Sequence, residues 1–321
     1  MVSDPFFAAI ASDKSSQISP AVYIVGAGPG SPDLLTVKAL KLIQQADVLV
    51  YANSLVPAQI LSAIRPNAEK IATANMTLED IVPLMIERVR AGKSVVRLHS
   101  GDPSLYSAIH EQMLRLSEAE IPFEVVPGIS AFQAAAAKLN VELTVPAQVQ
   151  SIILTRISGR TQVPETEELA GLAAHKASLC LYLSARHVQE SQDQLLTHYE
   201  PDTPVAICFR VGWPDEQIWV VPLAQMAEVT ARENLVRTTL YIVSPALSRA
   251  GGQVEDAGSG SEEKNVRSRL YNPGHDHLFR PKQTRSKQNL GKNLADDKES
   301  ASNTKAETTS DIQQQRESGK R

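Results

Sequence analysis

Residues 21–51 read AVYIVGAGPGSPDLLTVKALKLIQQADVLVY, and the succession of patterns in that stretch decides the fold class. A β-branched run at residues 22–25 ends in the glycine cluster Gly26, Gly28 and Gly30. Leu34, Val37, Leu40 and Ile43 then recur at helical spacing, which predicts a helix over residues 32–45. DVLVY at residues 47–51 predicts the next strand. Strand, turn, helix, strand is the repeat of a parallel sheet, because parallel neighbours need a crossover that packs on one face.

The pattern repeats downstream. TLEDIVPLMIERVRAG opens on a capping-type Thr77 and closes at Gly92, and residues 94–98 form a strand. Residues 105–116 read as helix, 123–126 as strand and 130–139 as helix. The polar stretch NVELTVPAQVQ at 140–150 interrupts the alternation and marks a domain boundary. Strands follow near SIILT, SLCLYL, PVAICF, QIWVV and TLYIV, with helices between them. The expected fold is α/β in two domains, residues 21–145 and 146–247, each a mainly parallel sheet flanked by helices. Residues 1–20 are expected to be a flexible N-terminus and 248–265 a Gly- and Ser-rich linker. Residues 266–280 carry an apolar island (Leu270, Tyr271, Leu278, Phe279) expected to dock on the folded body. Residues 281–321, nearly free of large apolar side chains, are expected to be disordered.

Composition narrows the function. A chain of 321 residues that is 42% hydrophobic can bury a substantial core. A net charge of -4 and only 5% aromatic residues argue against a nucleic-acid partner. No apolar run of about 18 residues occurs, so no membrane span is expected. The N-terminus lacks a basic region followed by an apolar stretch, and a cytoplasmic protein is expected. Cys180 and Cys208 each sit in an apolar run and read as buried thiols. The seven histidines show no metal spacing apart from His275 and His277, and no metal site is expected.

In open parallel sheets, ligands bind beyond the carboxyl ends of the strands. Those ends carry GAGPGSPD, HSGDP, PGISA, TRISGR, LSAR and FRVGWPDE. Small residues there let a backbone approach a ligand closely. The glycine loop is neither a dinucleotide fingerprint, since its third glycine comes too early, nor a Walker loop. By pattern it is equally a tight turn or a ligand cradle. Asp47 stands at the wrong end of its strand to bind a ribose. Arg97, Arg156, Arg160, Arg186 and Arg210 lie in or just beyond strands, and together they suggest a cleft for an anion with several carboxylates. The candidate substrate contacts are Arg156, Arg160, Arg186 and Arg210.

Four blocks in register, VGAGPGSPDLLTVKAL, ADVLVYANSLV, SGDPSLYSAI and VPGISAFQAAAA, resemble the successive signatures of the tetrapyrrole (corrin and porphyrin) methylase family. The resemblance covers residues 22–243. ILTRISGRTQVPE, LAAHKASLCLYLS and FRVGWPDEQIW are similar to its precorrin-4 C-11 methyltransferase branch, as is SRLYNPGHDHLFR near the C-terminus. The resemblance implies an S-adenosylmethionine-dependent enzyme of corrin biosynthesis, a carboxylate-rich tetrapyrrole substrate, a cofactor held between two α/β domains, and a homodimer. Carried over residue by residue, it implies cofactor contacts from Pro29, Ser100, Gly101, Asp102, Leu105, Ser130, Ala131, Leu183, Val211 and Thr238. Asp102 is the candidate catalytic residue, in the sense of orienting cofactor or substrate. Two alternatives stay open: a sister methyltransferase acting elsewhere on the ring, and a catalytically silent cofactor-binding homologue.

Overall fold

A computed structural model describes residues 18–159 and 161–249. The first half runs β1 (Val22–Gly26), α1 (Val37–Gln45), β2 (Val48–Tyr51), α2 (Ala58–Leu61), β3 (Glu69–Ala72), α3 (Leu78–Arg90), β4 (Val95–His99), α4 (Ile109–Glu118), β5 (Phe123–Val126) and α5 (Ala131–Leu139). The strands form one sheet in the order β3-β2-β4-β1-β5, every pair parallel. Alternate residues of the central strands face opposite ways. Val25, Leu49, Val96 and Leu98 pack with Leu42, Ile43 and Ile60 of α1 and α2. Val22, Ile24, Val48, Val50 and Val95 pack with Met85 of α3 and Leu116 of α4. Burying each Leu or Ile contributes about 1.5–3 kcal/mol, so a charge at Ile43 would strip α1 from the sheet.

Two helices start later than their periodicity predicts. α1 begins at Val37 because the Thr36 side chain accepts the Ala39 amide at 3.1 Å, and Pro32–Leu34 forms a separate 3-10 turn. α4 begins at Ile109, after Tyr106 and Ala108 adopt left-handed backbone with φ of 55° and 49°. The irregular turn this creates at residues 105–108 belongs to the site described below.

The second half runs β6 (Ile152–Arg156), α6 (Leu169–Ala173), β7 (Ser178–Tyr182), α7 (Val188–Leu195), β8 (Pro204–Phe209), β9 (Gln217–Pro222), α8 (Met226–Arg232) and β10 (Thr239–Val243). Its sheet, ordered β6-β7-β10-β8-β9, departs from the mainly parallel pairing expected of it. Only β6 and β7 pair in parallel, while β7–β10, β10–β8 and β8–β9 are antiparallel. The cause is the short loop at residues 210–216. A connection that brief joins only antiparallel neighbours, so it reverses the chain before β10 inserts between β7 and β8.

The stretch at 140–150 separates the two sheets in sequence but not their cores. Ala134, Ala135 and Leu139 of α5 pack against Cys180, Ala206, Cys208, Leu240 and Ile242 of the second sheet. Both sheets lie in a single compact unit. No helix among the described residues is long and apolar enough to cross a membrane. The expectations for residues 266–280 and 281–321 fall outside the described residues, as does Arg160.

Candidate active site

β4 and β5 flank β1, so the loops leaving their carboxyl ends are neighbours. Gly26, Gly101 and Gly128 let those loops touch backbone to backbone. A Cβ on Gly26 would lie 2.6 Å from Gly128 Cα and 2.8 Å from the Gly101 carbonyl oxygen, well inside ordinary contact. Gly28 and Gly101, both with left-handed φ (69° and 68°), join the loops: the Gly101 amide donates to the Gly28 carbonyl at 2.8 Å, and the Gly28 amide donates back at 3.2 Å. The glycine loop is thus first a packing device.

Asp102 fastens this junction. One carboxylate oxygen accepts the Gly128 amide at 2.8 Å; the other accepts the Ser104 amide at 2.8 Å and the Ser104 hydroxyl. Burial alone would raise its pKa, but the bonds from Ser104 and Gly128 outweigh it and hold the carboxyl below its usual range. Both oxygens are engaged by the protein's own loops. These three bonds make Asp102 the residue that orients the SGDP turn against the β5 loop.

The second sheet closes over this floor. The Tyr182 hydroxyl, at the end of β7, lies 2.8 Å from Ser130 Oγ and accepts the Phe132 amide at 3.2 Å, tying β7 to the first turn of α5. Burial pushes this phenol up to about 12. Gln59 donates to the carbonyls of Gly30 (2.7 Å) and Gly212 (2.9 Å), joining the β1 loop to the β8 loop. Gly30 and Gly212 are needed there: a Cβ on Gly30 would lie 2.5 Å from the Trp213 ring.

Between the sheets lies a cavity of about 560 Å³. Pro29, Ser100, Gly101, Asp102, Leu105, Ser130, Ala131, Leu183, Val211 and Thr238 all line it, so the structure brings the ten cofactor candidates together. Leu183 and Thr238 hold left-handed backbone (φ 54° and 55°), which costs a non-glycine residue roughly 1–2 kcal/mol. Leu183 is also the most exposed large hydrophobic side chain among the described residues, at 69%. The strained backbone thus presents an exposed apolar side chain to the open cavity.

The arginines divide. Arg186 lines the cavity; Arg156 and Arg210 do not. Arg156 donates to the carbonyls of Thr161 (2.7 Å) and Gln162 (2.9 Å), which occupies its guanidinium in its own loop. Arg210 pairs with Asp215, and its guanidinium carbon stands 5.1 Å and 5.0 Å from the ring centres of Phe209 and Trp213. Each guanidinium thus has partners within its own loop, although Arg210 Nε is buried without one.

The cavity also holds residues outside the candidate contacts drawn from the sequence, among them Arg97, which the sequence offers only as one of five arginines in or just beyond strands. Arg97 and His99, on β4, are 7% and 8% exposed and line the cavity. Burial lowers the Arg97 pKa to about 10; burial and the Arg97 charge lower His99 to about 3, so His99 is neutral near pH 7. Tyr106, whose ring stands 5.4 Å from that of Tyr182, also lines the cavity, with Trp213 and Arg237. The signal for Arg97 in the sequence is a cation inside a strand, on the face that Val95 and His99 share and opposite Val96 and Leu98. Nothing in the sequence marks Tyr106, whose place depends on the irregular turn before α4.

Residues 21–227 match the family model described as tetrapyrrole (corrin/porphyrin) methylases. The chain is 43% identical over 260 residues to a precorrin-4 C(11)-methyltransferase of Pseudomonas aeruginosa, covering 81% of this chain and 98% of that protein. It is similar to the X-ray structure of the cobalamin biosynthetic enzyme cobalt precorrin-4 methyltransferase, CbiF, at 42% identity and a TM-score of 0.69, over 71% of this chain and 96% of that one. The uroporphyrin-III C-methyltransferase of Thermus thermophilus complexed with S-adenosylhomocysteine matches at 27% identity and a TM-score of 0.61, over 71% of this chain and 99% of that one.

Proposed function

The chain belongs to the tetrapyrrole (corrin/porphyrin) methylases, and from that premise we propose that it methylates C-11 of precorrin-4 or cobalt-precorrin-4 to give the precorrin-5 form. It is an S-adenosylmethionine-dependent C-methyltransferase of cobalamin biosynthesis. The observation that carries this reading is the convergence of all ten cofactor candidates on one cavity between the sheets.

The cavity suits the cofactor. Its floor offers close-packed backbone at Gly101 and Ser130, and its far wall offers the apolar Leu183 and Val211. When bound, the sulfonium supplies an already activated methyl group, so no protein nucleophile is required. The task left to the chain is alignment and exclusion of water, and alignment alone supplies a large part of the rate. Ser100, Gly101, Leu105, Ser130 and Ala131 hold the donor on the first domain; Leu183, Val211 and Thr238 hold it on the second, with Pro29 between. Asp102 is a positioning residue that fixes the turn carrying Ser100 and Gly101. Arg186 and Arg237, both exposed at the cavity, are the rim cations for a carboxylate-rich macrocycle. The reading extends to a cytoplasmic homodimer, in keeping with the free, buried thiols Cys180 and Cys208. Light scattering on the purified protein tests the dimer.

The deciding experiment incubates the protein with methyl-labelled S-adenosylmethionine and, separately, precorrin-4, cobalt-precorrin-4 and uroporphyrinogen III, then locates the new methyl by NMR. Label on C-11 is expected. Label on another ring carbon would make the chain a sister enzyme. Cofactor binding without transfer to any macrocycle would make it a silent homologue.

A further inference from the structure

We propose that Arg97, with His99 and Thr73, forms a buried anchor for one carboxylate of the macrocycle at the floor of the cavity. The inference rests on the tetrapyrrole reading above and names the residues that fix the ring's depth and orientation.

Arg97 is a buried cation with no carboxylate partner among the described residues. Its partners across the sheet are Ile24 on β1 and Val50 on β2, both wholly buried, so aliphatic side chains flank its stem on both sides. One guanidinium nitrogen donates to Thr73 Oγ1 at 3.1 Å, and its Nε has no partner. Among the described residues it forms no ion pair, and burial is the sole cause of its lowered pKa. A buried cation without a counterion is costly, and a bound anion removes that cost. Two residues along the same strand face, the Nε2 of His99 is also buried and unpartnered. A neutral imidazole has one N–H to donate. Arg97 and His99 both line the cavity, so fork and ring together offer several donors to a carboxylate, while the carboxylate in the lining, Asp102, is held by the Gly128 and Ser104 amides.

Two carboxylates could enter: an acetate or propionate substituent of the ring, or the α-carboxylate of the cofactor's methionine moiety. Arg97 and His99 lie on the α3–α4 face of the first sheet, where Val22, Ile24, Val48, Val50 and Val95 also lie. The cofactor candidates border this point on one side, where Ser100, Gly101 and Asp102 follow His99 directly, and stand apart from it on the other, where Ser130 caps α5 and Ala131 opens it. The ring substituent is the occupant proposed, and the S-adenosylhomocysteine titration below separates the two. Arg186 and Arg237, exposed at the rim, are open to water and salt, whereas Arg97 and His99 are buried and less screened, so the floor contact would contribute more to orientation.

The test uses the full chain with Arg97→Met and Arg97→Lys, reading thermal stability, the Kd of S-adenosylhomocysteine by calorimetry, and KM and kcat for precorrin-4. Arg97→Met is expected to melt at or above the wild-type temperature, because it removes an unpaired buried charge. The same variant is expected to keep its S-adenosylhomocysteine affinity and to raise KM about tenfold to a hundredfold. Arg97→Lys retains the charge without the fork and is expected to fall between. An unchanged KM in Arg97→Met would overturn the anchor. So would loss of S-adenosylhomocysteine affinity alone, which would assign the site to the cofactor's carboxylate. Failure of both variants to fold would make Arg97 structural and overturn it as well. A wild-type chain that binds cofactor yet neither binds nor methylates precorrin-4 would remove the functional reading, and this inference with it.

Discussion

Gly128→Ala is expected to damage stability and cofactor binding together, although it adds a single methyl group. The backbone at Gly128 is not left-handed, so alanine is conformationally allowed and the cost is one of space. The added Cβ would overlap the Gly101 carbonyl oxygen and lie 2.9 Å from Gly26 Cα, against ordinary contacts of 3.4–4 Å. Each of these neighbours is backbone and cannot rotate aside. The Gly101 loop must therefore retreat by about 1 Å, an overpacking that costs roughly 1–3 kcal/mol. That retreat strains the 2.8 Å and 3.2 Å bonds between Gly28 and Gly101 and the 2.8 Å bond from Gly128 to Asp102. Losing bonds of this kind costs about 0.5–1.5 kcal/mol each.

The combined loss, about 2.5–7.5 kcal/mol if all three bonds go, corresponds to a fall in melting temperature of roughly 5–30 °C for a protein of this size. Ser100, Gly101 and Asp102 ride on the displaced loop, so affinity for S-adenosylhomocysteine should drop at least about tenfold at temperatures where the variant is still folded. Scanning calorimetry and a titration at low temperature measure the two effects. Gly171→Ala is the control: a Cβ there meets nothing within 4 Å, and alanine favours α6. Wild-type melting and wild-type affinity in Gly128→Ala would refute the claim that three strand-end loops rest on one another.

Gln59→Leu removes both bonds joining the β1 loop to the β8 loop, and a loss of about 1–3 kcal/mol in urea unfolding is expected; faster amide exchange near Gly212 should accompany it. For Asp102→Asn the sign follows from the depressed folded pKa of the carboxyl. Its stabilisation is complete above the ordinary carboxylate value of about 3.9 and is lost as pH falls through the lower folded value. The stability gap between wild type and Asp102→Asn should therefore be constant near neutrality and close in acid, which unfolding curves across pH would show. Cys180 and Cys208 are buried and burial pushes both thiols up, so neither should react with a disulfide reagent at pH 8 until the chain is unfolded; prompt reaction of the native protein would contradict the packing of α5 on the second sheet.

The parts of the fold legible in the sequence are those set by local periodicity. β1, β2, β4 and β5 are short buried runs, and their helices repeat at helical spacing with caps such as Thr77 and Ser130. β3 escaped because EKIA alternates half-buried and exposed residues at the sheet edge, and its charges are solvated. α2 escaped because four residues are too few to show a period. The antiparallel half of the second sheet was open to inference from the short 210–216 connection. Strand–helix alternation on either side of it concealed the reversal.

The site shows the same division with more force. The cofactor candidates Gly101, Ser130 and Thr238, which the family resemblance implies, all line the cavity. Long cations do not follow position in sequence, because whichever acceptor lies within reach captures a guanidinium. Arg156 follows a strand end, yet the carbonyls of Thr161 and Gln162 hold it; Arg210 does the same and meets Asp215. The more informative residue was Arg97, inside its strand. Once the sheet order places β4 between β1 and β2, its lateral neighbours are Ile24 and Val50, neither of which can neutralise it. Arg97 therefore finds no counterion in its own sheet, and the cavity beyond the carboxyl ends of the strands is where the proposed carboxylate would reach it. Burial and sheet register, rather than proximity to a motif, are the grounds for proposing Arg97 ahead of Arg156 as the carboxylate anchor.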